Sequence, residues 1–376
     1  MSMLLTEEQA LLRDSAADFL QTQTPVTLMR QLRDQQVLQG FDSKVWQQMV
    51  EMGWPAAVLP EEHGGLAVGY LGLGSVFEHI GRQLAAQPLL TQAVIAPELL
   101  LRAGNAQQQA HWLPLLVEGK ARVALALDEA SGHHLPQSLQ TRAEQTTTGW
   151  SLSGSKFFVI DGVGADAFVV AAAGAGAGAV DLWLVPANLQ GVRVQRQVLA
   201  DSRNVARVDF EQVVLSADMA LTAMPACAAL DAVLDRARAC LAAESLGLLR
   251  EVFERTVAYL KERVQFDVPI GSFQALQHRA ARLYTELELL HSCVLGALEA
   301  IDSGNEHAIA LQCSLAKAKA SDLCERLCNE AVQLHGGIGV TDELDIGLFL
   351  KRARVLQRSL GDGLFHRNRY AQLKGF

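Results

Sequence analysis

Residues 263–278 read Arg263-Val-Gln-Phe266-Asp-Val-Pro269-Ile-Gly271-Ser-Phe-Gln274-Ala-Leu-Gln277-His278, between two long segments of helical apolar period. Pro269 and Gly271 punctuate a helix end, a short connection and a new helix start, with Ser272 placed to act as N-cap. An arginine and several amides are thereby gathered at a helix junction. That suits a phosphate-bearing ligand, because guanidinium groups and helix-start N–H groups both favour anions. An ordinary helix hairpin with solvated polar residues fits the same pattern, so the decision falls to the flanking chain.

Working outward, apolar residues recur at helix spacing over Leu230 to Leu260, Phe273 to Ala300, Ala308 to Leu334 and Glu343 to Leu373. Long helices with short connections predict a four-helix bundle over 224–376. Upstream the period shortens. Val123 to Leu127, Trp150 to Val159, Ala167 to Ala172, Asp181 to Val185, Val192 to Val198 and Val205 to Leu215 are short apolar or alternating runs split by Gly, Asp, Asn and Pro. They predict an antiparallel β-domain over 120–223, with turn signals at Leu152-Ser-Gly154 and Asp161-Gly162. The run Ala173-Gly-Ala-Gly-Ala-Gly-Ala179 imitates a dinucleotide-binding glycine motif, but a strand-like segment follows it, so a hairpin is expected. Before the strands, Leu4, Leu11, Leu12, Ala16, Phe19 and Leu20, then Val45 to Met52 and Tyr70 to Leu84, predict an all-helical domain over 1–119. The expected fold class is α+β, in the order helices, sheet, helices.

At 376 residues, half of them hydrophobic, the chain can bury several sizeable cores. A net charge of -9 argues against a nucleic-acid partner, so any anionic ligand must be held by local basic groups. The opening Met-Ser-Met-Leu-Leu-Thr-Glu-Glu-Gln lacks the basic start and apolar run of a signal peptide, and no apolar run reaches membrane-spanning length. A cytoplasmic protein without an integral membrane segment is expected. The six cysteines show no CxxC spacing, and Cys324 and Cys328 share a helix face; buried thiols are expected rather than a metal site or a disulfide framework.

These blocks, in this order, resemble the acyl-CoA dehydrogenase family over essentially the whole chain. Thr6-Glu-Glu-Gln9 is similar to the family's opening, and Leu59-Pro-Glu-Glu-His-Gly-Gly65 to a loop of its first domain. Trp150 to Asp161 and Ala165 to Val170 resemble its paired central strands. The most specific matches are Arg263 to Gln277 and Gln333-Leu-His335-Gly336-Gly337-Ile338-Gly339-Val340-Thr341. The resemblance implies FAD as cofactor. Arg263, Phe266 and Gln274 match residues that reach the FAD of a neighbouring subunit, Gln333, Gly336 and Gly337 the loop along the pyrophosphate, and Phe158 the strand at the flavin edge. Glycines there let backbone N–H groups approach phosphate closely.

The resemblance also implies an acyl-CoA substrate, an electron-transfer flavoprotein as electron acceptor, and a homo-oligomer (dimer or tetramer) or a heteromer with a related dehydrogenase chain. Its chemistry needs a carboxylate base near the C-terminus, where a Glu before a Gly is usual; the matching residue is Asp362, one methylene shorter. Some members carry the base on the first bundle helix, but that position is Ala237, before Arg238. Glu244, further along, is read as a capped or solvated acid. Asp235 and Arg238 match positions on the acyl-CoA side and are assigned to the thioester pocket. Asp128-Glu129-Ala130-Ser131-Gly132-His133-His134 departs from the usual flavin-contacting strand, and Ile160 replaces a hydroxyl donor to the flavin. His133, His134 and His366 are expected at the surface or on a flavin phosphate. The departures leave a second expectation open, a low-activity or non-catalytic partner subunit of a heteromeric dehydrogenase.

Overall fold

The computed structural model describes residues 5–131, 138–147, 149–176 and 178–376. Helices α1 (Glu7–Gln23), α2 (Val26–Asp34), α3 (Ser43–Glu51), α4 (Gly69–Gln83), α5 (Ala96–Ala103) and α6 (Ala106–Val117) come first. Strands β1 (Val123–Ala126), β2 (Arg142–Thr146), β3 (Gly149–Ile160), β4 (Ala167–Ala173), β5 (Val180–Pro186), β6 (Val192–Arg196), β7 (Val205–Leu215) and β8 (Ala220–Leu221) follow. Then come α7 (Ala226–Glu262), β9 (Val264–Gln265), β10 (Val268–Pro269), α8 (Gln274–Ser303), α9 (Glu306–His335), α10 (Ile346–Arg358) and α11 (Gly363–Leu373). The fold is α+β, and no helix among the described residues is long and apolar enough to cross a membrane.

Two compact units share the chain. One takes residues up to Gln31, Val68–Ala85 and Arg238–Phe376; the other takes Leu32–Ala67 and Ala86–Ala237. In the first, α1 starts on a capping box in which Thr6 Oγ1 accepts from Gln9 N and Gln9 Oε1 accepts from Thr6 N. Helix α4 crosses α7 backbone to backbone, because glycines meet there. A Cβ on Gly81 would lie 1.9 Å from the Glu244 carbonyl oxygen, and one on Gly247 would lie 1.7 Å from that of Glu78. The N-terminus of α4 has no cap from its own sequence; Asp302, at the end of α8, accepts from Tyr70 N at 2.6 Å and Leu71 N at 3.0 Å instead.

The last predicted helix is two. Between α10 and α11, Leu360 (φ 56°) and Gly361 (φ 107°) take left-handed backbone, which no helix continues. The 263–278 connection is a β9–β10 hairpin, with Phe266 (φ 54°) and Asp267 (φ 64°) in the paired left-handed conformation of a tight hairpin turn. Ser272 does not cap α8, as expected of it: its hydroxyl donates back to the Pro269 carbonyl, and Phe273 occupies the N-cap position.

The second unit is built on an eight-stranded sheet in the order β6-β7-β3-β2-β4-β5-β8, with β1 pairing parallel to β4 and the other long pairs antiparallel. Its core includes Phe168 against Phe210 and Trp150 against Trp183, with ring centroids 6.5 and 5.2 Å apart. The strands on either side of the glycine-rich run, β4 and β5, pair antiparallel, as expected of a hairpin. Strand β2 was missed because Arg142-Ala-Glu-Gln-Thr146 is polar and mostly exposed, so it carries no apolar alternation. Leu152-Ser-Gly154 is not a turn; it is a register shift inside β3, with Gly154 lying against Thr141.

Candidate functional site

The turn between α10 and α11 is held from below by buried cations. Lys317 of α9, fully buried, has its Nζ 2.8 Å from the Gly361 carbonyl oxygen, 3.0 Å from that of Leu356, 3.4 Å from that of Gln357 and 3.1 Å from Ser321 Oγ. Arg238 of α7, also buried, donates from Nε to the Leu360 carbonyl at 3.0 Å and lies over the Phe365 ring at 5.6 Å. Gly361 has to be glycine, since a Cβ there would meet Phe365 Cδ1 at 2.5 Å and His366 Nε2 at 2.6 Å. His366 is not at the surface as expected: it is buried, its Nε2 faces the Leu360 carbonyl at 3.0 Å and its Nδ1 has no partner. Burial, then the Arg238 and Lys317 charges, push its pKa down to about 2, so it is neutral.

Asp362 closes this turn as the N-cap of α11. Its Oδ1 accepts from Phe365 N at 3.0 Å and its Oδ2 accepts from Arg358 Nη1 at 2.7 Å. The Phe365 N–H, and then the Arg358 charge, hold the carboxyl below the usual range. Among the described residues the Asp362 N–H itself has no acceptor. Burial moves the Lys317 ammonium the other way for its type, down to about 7. Structure thus joins Asp362 to Arg238. Asp235, one turn earlier on α7, belongs to the other unit and is buried, with an interaction of its own. Glu244 is not a solvated acid as expected; it is buried and receives Arg352 Nε and Nη2 at 2.8 and 2.9 Å.

A second cluster lies at the far end of α7 and α9, roughly 36 Å along α7 from Arg238 at ~1.5 Å rise per residue. Arg263, Phe266, Gln274, Gln333, Gly336 and Gly337 are all exposed there, Phe266 at 86%. Tyr259 ties the two halves together. Its ring stacks on His335 at 4.5 Å, its hydroxyl donates to the His335 carbonyl at 3.2 Å, and its own carbonyl accepts from Arg263 N at 2.8 Å. Among the described residues the Arg263 side chain has no ion-pair or hydrogen-bond partner.

Phe158 sits in the other unit. Three steps along β3 from Lys156 to Val159 oppose two on β7, from Val208 to Ala206, and this bulge puts Phe158 at φ 54° with its ring 42% exposed. Its N–H donates to Gln197 Oε1 at 2.8 Å. Beside it, buried Lys156 donates to the Leu127 carbonyl at 3.0 Å and to Glu129 Oε1 at 2.8 Å, and Glu129 also accepts from Gln140 N and Thr141 N. Burial pulls the Lys156 pKa down, against Glu129; Glu129, despite burial, is held low by Lys156, Thr141 and Gln140. The pair therefore favours the carboxylate's charge more than the ammonium's, since the carboxylate collects the extra N–H donors. His133 and His134 lie outside the described residues.

Residues 6–120 match the family described as acyl-CoA dehydrogenase, N-terminal domain, and residues 228–372 match acyl-CoA dehydrogenase, C-terminal domain, together about two thirds of the chain. The chain belongs to the acyl-CoA dehydrogenase family. Acyl-CoA dehydrogenase IpdE2 of Mycobacterium tuberculosis is 30% identical over 351 residues, 92% of this chain and 91% of that protein. Mitochondrial isovaleryl-CoA dehydrogenase of Pongo abelii is 28% identical over 371 residues, 95% of this chain and 86% of that protein. The ChsE4-ChsE5 complex from Mycobacterium tuberculosis matches in structure with a TM-score of 0.90 and 25% identity, over 100% of both chains.

As an acyl-CoA dehydrogenase the chain is an oxidoreductase of a family whose members bind FAD. The exposed cluster fits a dinucleotide phosphate. A Cβ built on Gly336 or Gly337 meets no atom within 4 Å, so that backbone is uncovered, and Arg263 supplies an unpaired cation in an acidic chain. Sequence reading missed Lys317, although its position on the buried face of α9 was visible in the helical period.

Proposed function

We propose that the chain catalyses α,β-dehydrogenation of an acyl-CoA thioester to trans-2-enoyl-CoA, with an electron-transfer flavoprotein as the final electron acceptor. The supporting observation is the turn at Asp362, where one residue offers a carboxylate and an N–H that no atom of the described chain uses. When bound, FAD supplies the acceptor for the β-hydride. The Asp362 N–H donates to the thioester oxygen and so acidifies the α-carbon; an Asp362 oxygen takes the α-proton, and the C–H electron pair becomes the new π bond. Asp362 is ionised at neutral pH, ready to accept, but its depressed pKa reduces the driving force for taking the proton. Arg238 holds the turn through the Leu360 carbonyl, and with Asp235 it supports the thioester pocket. Phe158 would help to hold the flavin. Arg263, Phe266 and Gln274 would hold the FAD of a neighbouring copy and Gln333, Gly336 and Gly337 its phosphates, an arrangement that would call for a dimer-based oligomer.

Two observations favour a second reading, a low-activity partner subunit. Ile160 brings no hydroxyl to the flavin edge, and Asp362 is already engaged as cap and ion pair. A relative described as a complex of two named chains agrees with it. Anaerobic mixing of the FAD-loaded chain, purified alone, with acyl-CoAs of graded length and branching separates the two. Flavin bleaching by any of them supports the dehydrogenase; bleaching only after a second dehydrogenase chain is added supports the partner subunit.

A further inference from the structure

We propose that Lys317 is a positioning residue for this reaction: by holding the carbonyl of the Gly361–Asp362 peptide, it fixes the Asp362 turn and strengthens that peptide's N–H as donor to the thioester oxygen. The inference rests on the thioester being received at Asp362.

An ammonium in the interior without a carboxylate partner is costly, and the acceptors of Lys317 are three carbonyls and one hydroxyl. Capping the C-terminal end of α10 accounts for the Leu356 and Gln357 carbonyls. It does not account for the Gly361 carbonyl, which lies beyond that helix and makes the shortest contact, 2.8 Å. The Gly361 carbonyl and the Asp362 N–H belong to one amide. A cation at its oxygen draws electron density toward that end and leaves the N–H more positive, as successive hydrogen bonds polarise one another.

The charged and titratable groups facing Lys317 are Arg238 from α7, Cys324 from α9, and Asp362 and His366 from α11; α10 and the turn present carbonyls. Burial first, then Arg238, pull Lys317 down to about 7, against Cys324 and Asp362. His366, titrating near 2, stays neutral throughout this range. Lys317 therefore loses its charge around neutrality, and the strengthened N–H weakens with it.

Acetoacetyl-CoA tests this on the full FAD-loaded chain without turnover, because its β-carbon has no hydride to give and its enolate absorbs in the near ultraviolet. Binding to the wild type should raise the enolisation constant. Lys317→Gln and Lys317→Met should lower that gain about two- to eightfold, the fraction expected if a polarising bond supplies ~10–30% of a donor worth ~10²–10³-fold. If either variant misfolds, the wild type still answers: the carbonyl stretch of bound acetyl-CoA should move toward its free value between pH 6 and 9. Equal enolisation in wild type and both variants, or a carbonyl stretch unmoved by pH, overturns the role of Lys317 alone. Failure of the wild type to enolise bound acetoacetyl-CoA overturns the placement of the thioester at Asp362, and this inference with it.

Discussion

The two ends of α7 and α9 are finished in opposite ways. At the Asp362 end, Lys317, Arg238 and His366 converge on consecutive carbonyls of one turn, so the chain fixes that geometry with its own buried groups. At the Arg263 end, six candidate residues stand in solvent, and Tyr259 and His335 link the halves. An interior cation with a full set of acceptors is spent on internal order, whereas an exposed arginine without a partner is free for a ligand. On the proposed reading, chemistry would be built into the first end and association into the second.

The largest effect is expected from Asp362→Asn. Asparagine caps a helix about as well as aspartate, so α11 and bound FAD should persist while flavin reduction by the best acyl-CoA falls by roughly 10²–10⁴-fold. Asp362→Glu should keep or raise that rate; stopped-flow bleaching reads both, and an unchanged rate in the asparagine variant moves the weight to the partner-subunit reading. Next, Arg263→Ala should weaken FAD binding by about 1.5–3 kcal/mol and leave enolisation of acetoacetyl-CoA in the FAD-saturated protein untouched. Equilibrium dialysis checks the first, and coupled loss of both would break the division between the ends.

A smaller effect concerns pH. Below about pH 7 native and unfolded chains both hold the Lys317 proton; between about 7 and 10.5 only the unfolded chain does. Stability from this group should therefore rise with pH, by up to about 1.4 kcal/mol per unit, while the polarising effect on Asp362 declines. Thermal melts of wild type against Lys317→Met at pH 6.5 and 8.5 measure the difference, and a wild type that gains no more than the variant contradicts it. Smallest is Tyr259→Phe, which removes one hydrogen bond to the His335 carbonyl and should cost about 0.5–1.5 kcal/mol of stability, with FAD affinity falling at most severalfold.

How far the sequence could be read depended on which force decides each region. Apolar period revealed the long helices and the buried strands, because burial decides them. It read through residues 359–362 because Leu356, Leu360 and Leu364 keep helix spacing, while the break comes from left-handed backbone at Leu360 and Gly361 that buried cations stabilise from elsewhere in the chain. Lys317 itself was legible: it falls on the face of Cys313, Ala316, Ala320, Cys324, Leu327 and Ala331, all buried. A lysine on such a face needs internal acceptors. His366 had no comparable signal, since its burial follows from the turn and not from its own helix, whose apolar pattern is weak.

The cap that Asp302 lends to α4 carries a consequence for biosynthesis. Tyr70 leaves the ribosome 232 residues ahead of the carboxylate that will cap its helix, an interval on the order of 10–50 s at ~5–20 residues per second. Throughout that time the first turn of α4 has its N–H groups uncapped, and Gly81 has no α7 to cross. The sheet unit, complete by Ala237, can condense on the nascent chain, whereas the bundle unit must wait for its last helices. Newly made protein should accordingly pass through a stage with a finished sheet and an unsealed α4, open to chaperones and proteases near Gly69.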